Sequence, residues 1–379
     1  MLESRKRGKR LKAVKILAGE ELLPEKPFSD TANVNYNFRT VYSDYDKTPS
    51  LCVYYAKKFG LPIASVADYA SLKGATEFYK AEDIIGSPYY LAVEAEVKSG
   101  DEKFTVVAMG IPHKSVVPFD KKLAPFRDLR AGYVGALKDN LSARFSDYGI
   151  TVSDYKIKKR KNGAPSVGDL YSFLAEKIME KFKEESAITA FLTDELYVPK
   201  DLEDLKKTED FSNPLYKSDL AAILSEYVKA DDVRENLADA HNFVSLCHDF
   251  GAICCFEYKG EDVNDFVNKA VSLGGNAVSV NPEVYGEKIA EELYSACVDN
   301  NVLPVSRIVV DNPRKKFDYE FSSADLAAKY RNTAAAIVGH EISATLNFSD
   351  GFFSARRIAD TPDMEDRIKL FAAVGFHKK

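Results

Sequence analysis

Histidine is scarce in this chain, with five among 379 residues. A serine or cysteine triad needs an imidazole base, and none of the five sits in a context that supplies one. There is no Walker-type phosphate loop, no G-x-G-x-x-G following a strand and no G-x-S-x-G elbow. P-loop nucleotide chemistry, dinucleotide binding of the Rossmann kind and α/β-hydrolase chemistry are therefore set aside. No run of about 18 apolar residues occurs, which predicts no membrane span. The basic start is not followed by a continuous apolar stretch, so no secretory signal is read and the expected compartment is the cytoplasm. Cysteine is also sparse. Five cysteines, an odd number, predict reduced thiols rather than a disulfide framework. A basic excess is missing as well: the net charge of −6 argues against the whole molecule binding a polyanion.

One local exception opens the chain. Arg5, Lys6, Arg7, Lys9, Arg10, Lys12 and Lys15 crowd into the first fifteen residues. This reads as a solvated tail over residues 1–32, and nucleic acid is expected as a partner only through it. Cys247-His248 and Cys254-Cys255 offer ligand types that zinc accepts, but adjacent cysteines on a strand point to opposite faces. They are read as buried structural residues.

Short apolar runs predict strands at 36–42, 62–67, 89–97, 104–111, 251–258, 276–281 and 303–310, with amphipathic helices between them closed by Gly or Asn. That is the rhythm of a mostly parallel α/β sheet, either barrel-like or doubly wound. It breaks between 114 and 235, where helical segments follow one another. The predicted organisation is a barrel from 33–113 and 236–350, a helical insertion at 114–235 and a C-terminal extension at 351–379. The basic stretch KIKKRKNGAPS, 156–166, is read as a solvated loop.

The segment from 37 to 78 carries the most information. It reads Asn37-Phe38-Arg39-Thr40-Val41-Tyr42-Ser43-Asp44, then Gly60-Leu61, then Ala67-Asp68-Tyr69, then Leu72-Lys73-Gly74-Ala75-Thr76-Glu77-Phe78. This order resembles the polymerase-and-histidinol-phosphatase (PHP) superfamily of metal-dependent phosphoesterases. Its pattern is a strand ending His-x-His-Thr-x-x-Ser-Asp, then Gly-Leu, an Asp-His step and a Leu-x-Gly-Ala-x-Glu-Phe helix. The strand YYLAVEAEV resembles the one carrying the family's bridging glutamate, which would be Glu96, or Glu94 in the alternative register. GAICCFEYKGED places Glu257 at a late strand end, and VSRIVVDNP puts Arg307, Ile308, Val309 and Asp311 at another. IVGHEISATLN, with His340, resembles the closing segment of a long-chain branch.

The resemblance implies a distorted TIM-like (β/α)7 PHP-type barrel with a helical insertion. It also implies a site at the strand ends, but the ligands are degenerate. Asn37, Arg39 and Tyr69 stand where the family has histidine, and Val309 removes a further donor. A guanidinium and a divalent ion about 4 Å apart at an effective dielectric near 20 would repel by roughly 8 kcal/mol. The expectation is a barrel without catalytic metal, serving as a binding or regulatory module for a phosphate- or carboxylate-bearing ligand. The alternative is a phosphoesterase using zinc, manganese or magnesium on Asp68, Glu96, Glu257 and His340. The pocket candidates are Asn37, Arg39, Asp44, Asp68, Tyr69, Glu96, Glu257, Arg307 and His340. Arg39 is expected to pair with Asp68 or Glu96.

Overall fold

The computed structural model describes residues 1–19, 29–33, 35–157, 163–228, 233 and 236–377. The centre of the basic 156–166 stretch, 158–162, lies outside the described residues. The chain divides into two compact units, residues 1–126 with 237–379, and residues 127–236.

Among the described residues the first unit holds nine strands: β1 (Tyr36–Phe38), β2 (Ala64–Tyr69), β3 (Tyr90–Ser99), β4 (Glu102–Met109), β5 (Ala238–Asp239), β6 (Ile253–Glu257), β7 (Ala277–Val280), β8 (Leu303–Ser306) and β9 (Ile308–Val310). Their order is β8-β7-β6-β4-β3-β2-β1-β9, with β5 pairing β3 off this path. The pairs are parallel except where β4 runs antiparallel to β3 and β6. The two ends of the order, β8 and β9, are consecutive in sequence and separated by Arg307 alone. Arg307 N–H donates to the Val280 carbonyl at the end of β7, and Ile308 N–H donates to the Asn35 carbonyl ahead of β1. The sheet thus curls into a nearly closed, TIM-like barrel whose seam falls on one residue. The single run expected at 303–310 is two strands for this reason, and the run expected at 36–42 leaves the sheet after Phe38.

Helices start soon after several strands, and side-chain caps fix their first turns. Thr48 caps Pro49–Lys58, Asp262 caps Val263–Ser272 and Asn281 caps Pro282–Asp299, each accepting hydrogen bonds from first-turn N–H groups. Pro49 and Pro282 take first-turn positions that have no N–H to satisfy. These caps hold the loops at the C-terminal strand ends, which form one mouth of the barrel.

Inward-facing residues alternate along the strands. Ile63, Ala67, Ala92, Val107, Ile253, Cys255, Ala277, Leu303 and Val305 form the apolar interior. At the opposite end the helix Ala324–Leu346 seals it with Ala334–Val338, backed by Ile368, Phe371 and Ala372 of the helix Met364–Phe376. Those two helices touch backbone to backbone. A Cβ on Gly339 would overlap the Phe371 carbonyl oxygen, and one on Gly375 would overlap that of Ala335.

All five cysteines are free and buried. Cys255 faces the barrel interior, while Cys254 is hydrogen-bonded with Cys247 of the helix outside.

The start of the chain departs from the expected solvated tail. Arg7–Gly19 is a helix, and Arg10 on it is buried. Its guanidinium holds both oxygens of Glu77, through Nε at 2.7 Å and through Nη2, and Ser50 Oγ donates to the same carboxylate at 2.7 Å. A buried pair satisfied in this way ties the helix to the barrel.

The second unit is helical. Val167–Phe182 and Tyr216–Tyr227 pack Leu170, Leu174, Ile178, Leu220 and Leu224 into a core of their own.

Candidate functional site

The barrel mouth is occupied by an ion-pair network built from inward positions of four strands and their ends. Glu94 lies on the inward face of β3, two residues beyond Ala92, and is 3% exposed. Arg39 Nη2 donates to Glu94 Oε1 at 2.6 Å, and Arg307 Nη2 donates to Oε2. Arg39 Nη1 also donates to Asp44 Oδ2 at 3.1 Å, and Arg307 Nη1 pairs with Glu257. Arg307 Nε donates to Asn37 Oδ1 at 3.0 Å. All three nitrogens of the Arg307 guanidinium are therefore engaged.

Below this layer runs a chain of neutral hydrogen bonds. Asn37 Nδ2 donates to Asn35 Oδ1 at 3.0 Å and to the Tyr90 hydroxyl at 3.3 Å. The Tyr90 hydroxyl donates to Asn35 Oδ1 at 2.8 Å, and Asn35 Nδ2 reaches the Ser306 carbonyl at 2.8 Å. Polar side chains so deep in a barrel are tolerated because each finds a partner.

Both guanidinium groups remain charged. Burial pushes the Arg39 pKa down, but the opposing field of Glu94, Asp44, Asp311 and Glu257 carries it above its ordinary value. For Arg307 the same opposition, with Glu257 and Glu94 as the main anions, again ends in an upward shift.

Five of the nine expected pocket residues meet here: Asn37, Arg39, Asp44, Glu257 and Arg307. Tyr69 is buried on β2 in register with Glu94. Three expectations are corrected. Asp68 sits on the outward face of β2, by alternation with the inward Ala67. It braces the loop after β1, accepting from Thr40 N–H and Thr40 Oγ1 at 2.6 Å each and from Ser43 Oγ at 2.7 Å. Glu94, rather than Glu96, bridges the guanidinium groups; Glu96 lies one pleat further along β3, opposite Thr105. His340 belongs to the opposite end of the barrel. Its Nδ1 accepts from Phe352 N–H at 2.9 Å, so its Nε2 carries the proton and donates to the Gly251 carbonyl at 2.9 Å, just ahead of β6. Asp68, Glu96, Glu257 and His340 are thus not gathered around one point.

Sequence reasoning passed over Asn35 and Tyr90, whose role depends on register alone, and ranked Glu94 second. Glu94 and Glu96 lie two residues apart on the same face of β3, so alternation does not separate them; only their position along the strand does.

The fit to a metal can be judged from the donors. Glu94 gives each oxygen to a cation, Glu257 serves Arg307, and two fixed positive charges stand at the centre. Among the described residues no three His, Cys, Asp or Glu side chains are grouped to hold an ion. This donor set does not suit a divalent metal.

No protein-family model matches the chain, and no curated protein matches it. Solved structures do. An amidohydrolase from Chromobacterium violaceum, solved with bound sulfate and no metal, superposes with a TM-score of 0.51 at 14% identity, over 79% of this chain and 97% of that one. A protein named as a metal-dependent phosphoesterase from Bifidobacterium adolescentis gives 0.47 at 14% identity, over 79% and 96%. At such identity the likeness concerns the fold, and the first of these supports the TIM-like barrel.

Proposed function

We propose that this chain is a PHP-type barrel whose metal centre has been replaced by paired cations, and that it works as a non-catalytic binding or regulatory module. The observation that carries this reading is the placement of Arg39 and Arg307 on the two oxygens of Glu94. The PHP resemblance puts a metal-bridging glutamate on this strand, at Glu96 or in the alternative register at Glu94, and Glu94 bridges two guanidinium groups. Each cation sits at the strand ends, where barrel chemistry is located.

The network also qualifies the ligand. Glu94 and Asp44 each take one N–H of a terminal nitrogen of Arg39, so a phosphate or carboxylate would gain a full edge of this guanidinium by displacing one of them. Asp44 is the partner to displace, since its side chain is 12% exposed against 4% for Glu94. A small anion would then gain the planar fork of a guanidinium that is itself 18% exposed.

The test combines metal analysis with an assay. Protein purified without chelator is expected to carry no stoichiometric zinc, manganese or magnesium and to hydrolyse p-nitrophenyl phosphate no faster than buffer. Stoichiometric metal together with metal-stimulated hydrolysis that is lost in Glu257→Ala would replace this reading with that of a phosphoesterase.

A further inference from the structure

Residues 1–15 hold seven cations and one acid, a net of +6, so the remaining 364 residues carry −12. The helix Arg7–Gly19 sorts these charges. Arg10, Ala13 and Val14 turn inward, whereas Arg5, Lys6, Arg7, Lys9, Lys12 and Lys15 are exposed. None of the six exposed cations pairs with an acid among the described residues. Lys9, Lys12 and Lys15 recur every third position, so they form one outward row with about 4.5 Å of rise between neighbours. The row is held rigid because Arg10 is locked to Glu77 beneath it.

A groove runs beside this row, lined by Leu2, Ile16, Leu17, Tyr54, Tyr55 and Lys58. The Tyr54 and Tyr55 rings lie 5.9 Å apart, and Tyr55 is 6.2 Å from Phe59, itself exposed at the end of the same helix. Half-buried aromatic rings next to a one-sign row of lysines suit an extended polyanion that carries flat apolar groups. Lysines track the phosphates, and rings stack on unpaired bases. An anionic bilayer fits less well. A surface-seeking helix presents an apolar face to lipid, and this one uses Ala13 and Val14 against the barrel, leaving Ile16 as its exposed large apolar residue.

We propose that this face binds single-stranded nucleic acid without sequence preference, independently of the barrel mouth. The full chain would be titrated into a labelled mixed-sequence oligonucleotide of about 15 nucleotides, within the usual range of site sizes. Anisotropy would be followed from about 50 to about 200 mM salt. Binding that weakens steeply with salt is expected. The triple variant Lys9→Ala, Lys12→Ala, Lys15→Ala should reduce the magnitude of the log–log salt slope by about 2, at about 0.7 per lost phosphate contact. The same three positions changed to Arg should retain binding, and circular dichroism would establish that both variants are folded. The proposal is overturned by no binding at low salt or by a slope unchanged in the alanine variant. It is equally overturned by a duplex bound as tightly as the single strand, or by binding to phosphatidylserine vesicles without binding to the oligonucleotide.

Discussion

Arg39 and Arg307, 268 positions apart in sequence, hold opposite oxygens of the single carboxylate of Glu94. The two guanidinium groups repel each other, and their shared anion cancels that repulsion. The arrangement is asymmetric. Arg307 is 1% exposed and also engages Glu257 and Asn37, whereas Arg39 is 18% exposed and shares Asp44 near the surface.

Arg307→Ala should therefore be the costlier change, at about 3–5 kcal/mol, because Glu94 Oε2, Glu257 and Asn37 Oδ1 all lose this guanidinium at once. Arg39→Ala should cost less, since Glu94 keeps Arg307. Urea unfolding of both variants checks the order. Equal stability of Arg307→Ala and the parent would show the network to be energetically idle.

His340 gives a pH signature. Burial lowers its pKa to about 4, against a smaller upward pull from the Gly251 carbonyl. The unfolded chain takes up this proton near pH 6.5 and the folded chain does not. Stability from this group is thus complete above about pH 6.5 and falls as pH drops toward 4, by about 3 kcal/mol at most. His340→Gln, which keeps an amide donor for Gly251, should show a shallower decline in melting temperature between those values. Identical pH profiles for the two proteins would contradict the assignment.

Arg10→Ala should release the N-terminal helix. Glu77 would keep Ser50 but lose its charge partner, and breaking such a pair costs about 3 kcal/mol. Trypsin at low concentration should then cleave within residues 5–15 of the variant well before it cleaves the parent. Equal cleavage rates would return the segment to a tail.

Arg367 points the other way. It is fully buried, donates to Asn301 from Nη2, lies 5.2 Å from the Phe352 ring, and has no hydrogen-bond partner for Nε or Nη1 among the described residues. Burial draws its pKa below the usual value. An apolar side chain of similar length removes that desolvation, so Arg367→Met should be neutral or stabilising by about 1–2 kcal/mol. A large drop in melting temperature would mean that the guanidinium is better satisfied than its geometry indicates.

Much of the barrel was legible because its strands fall on short apolar runs such as 251–258 and 276–281, with amphipathic helices closed by Gly or Asn between them. At the site, the PHP resemblance pointed to Asn37, Arg39, Asp44, Glu257 and Arg307, and these five lie together at the barrel mouth. Asp68 misled because strand position and face are separate properties: it ends its run like the others but points outward. His340 misled because its neighbours in the chain resemble a motif, while its hydrogen bonds to Gly251 and Phe352 depend on a packing that no local pattern encodes. The N-terminal helix was misread because one cation among seven, Arg10, is buried, and only Glu77, 67 positions away, shows which one.

The seam at Arg307 also bears on how the chain is made. β1 pairs with β2 on one side and with β9 on the other, and Asn35 meets Ser306 across 271 positions. At about 5–20 residues per second, roughly 14–54 s of synthesis separate the two halves of that pairing. Throughout that interval the outer edge of β1 stands without its neighbour, an open template for strands of other chains. The residues that would sit on that edge are Asn35, Asn37 and Arg39, polar and charged groups that solvate well alone. The features that fill the mouth in the finished barrel thus also keep the nascent edge from sticking.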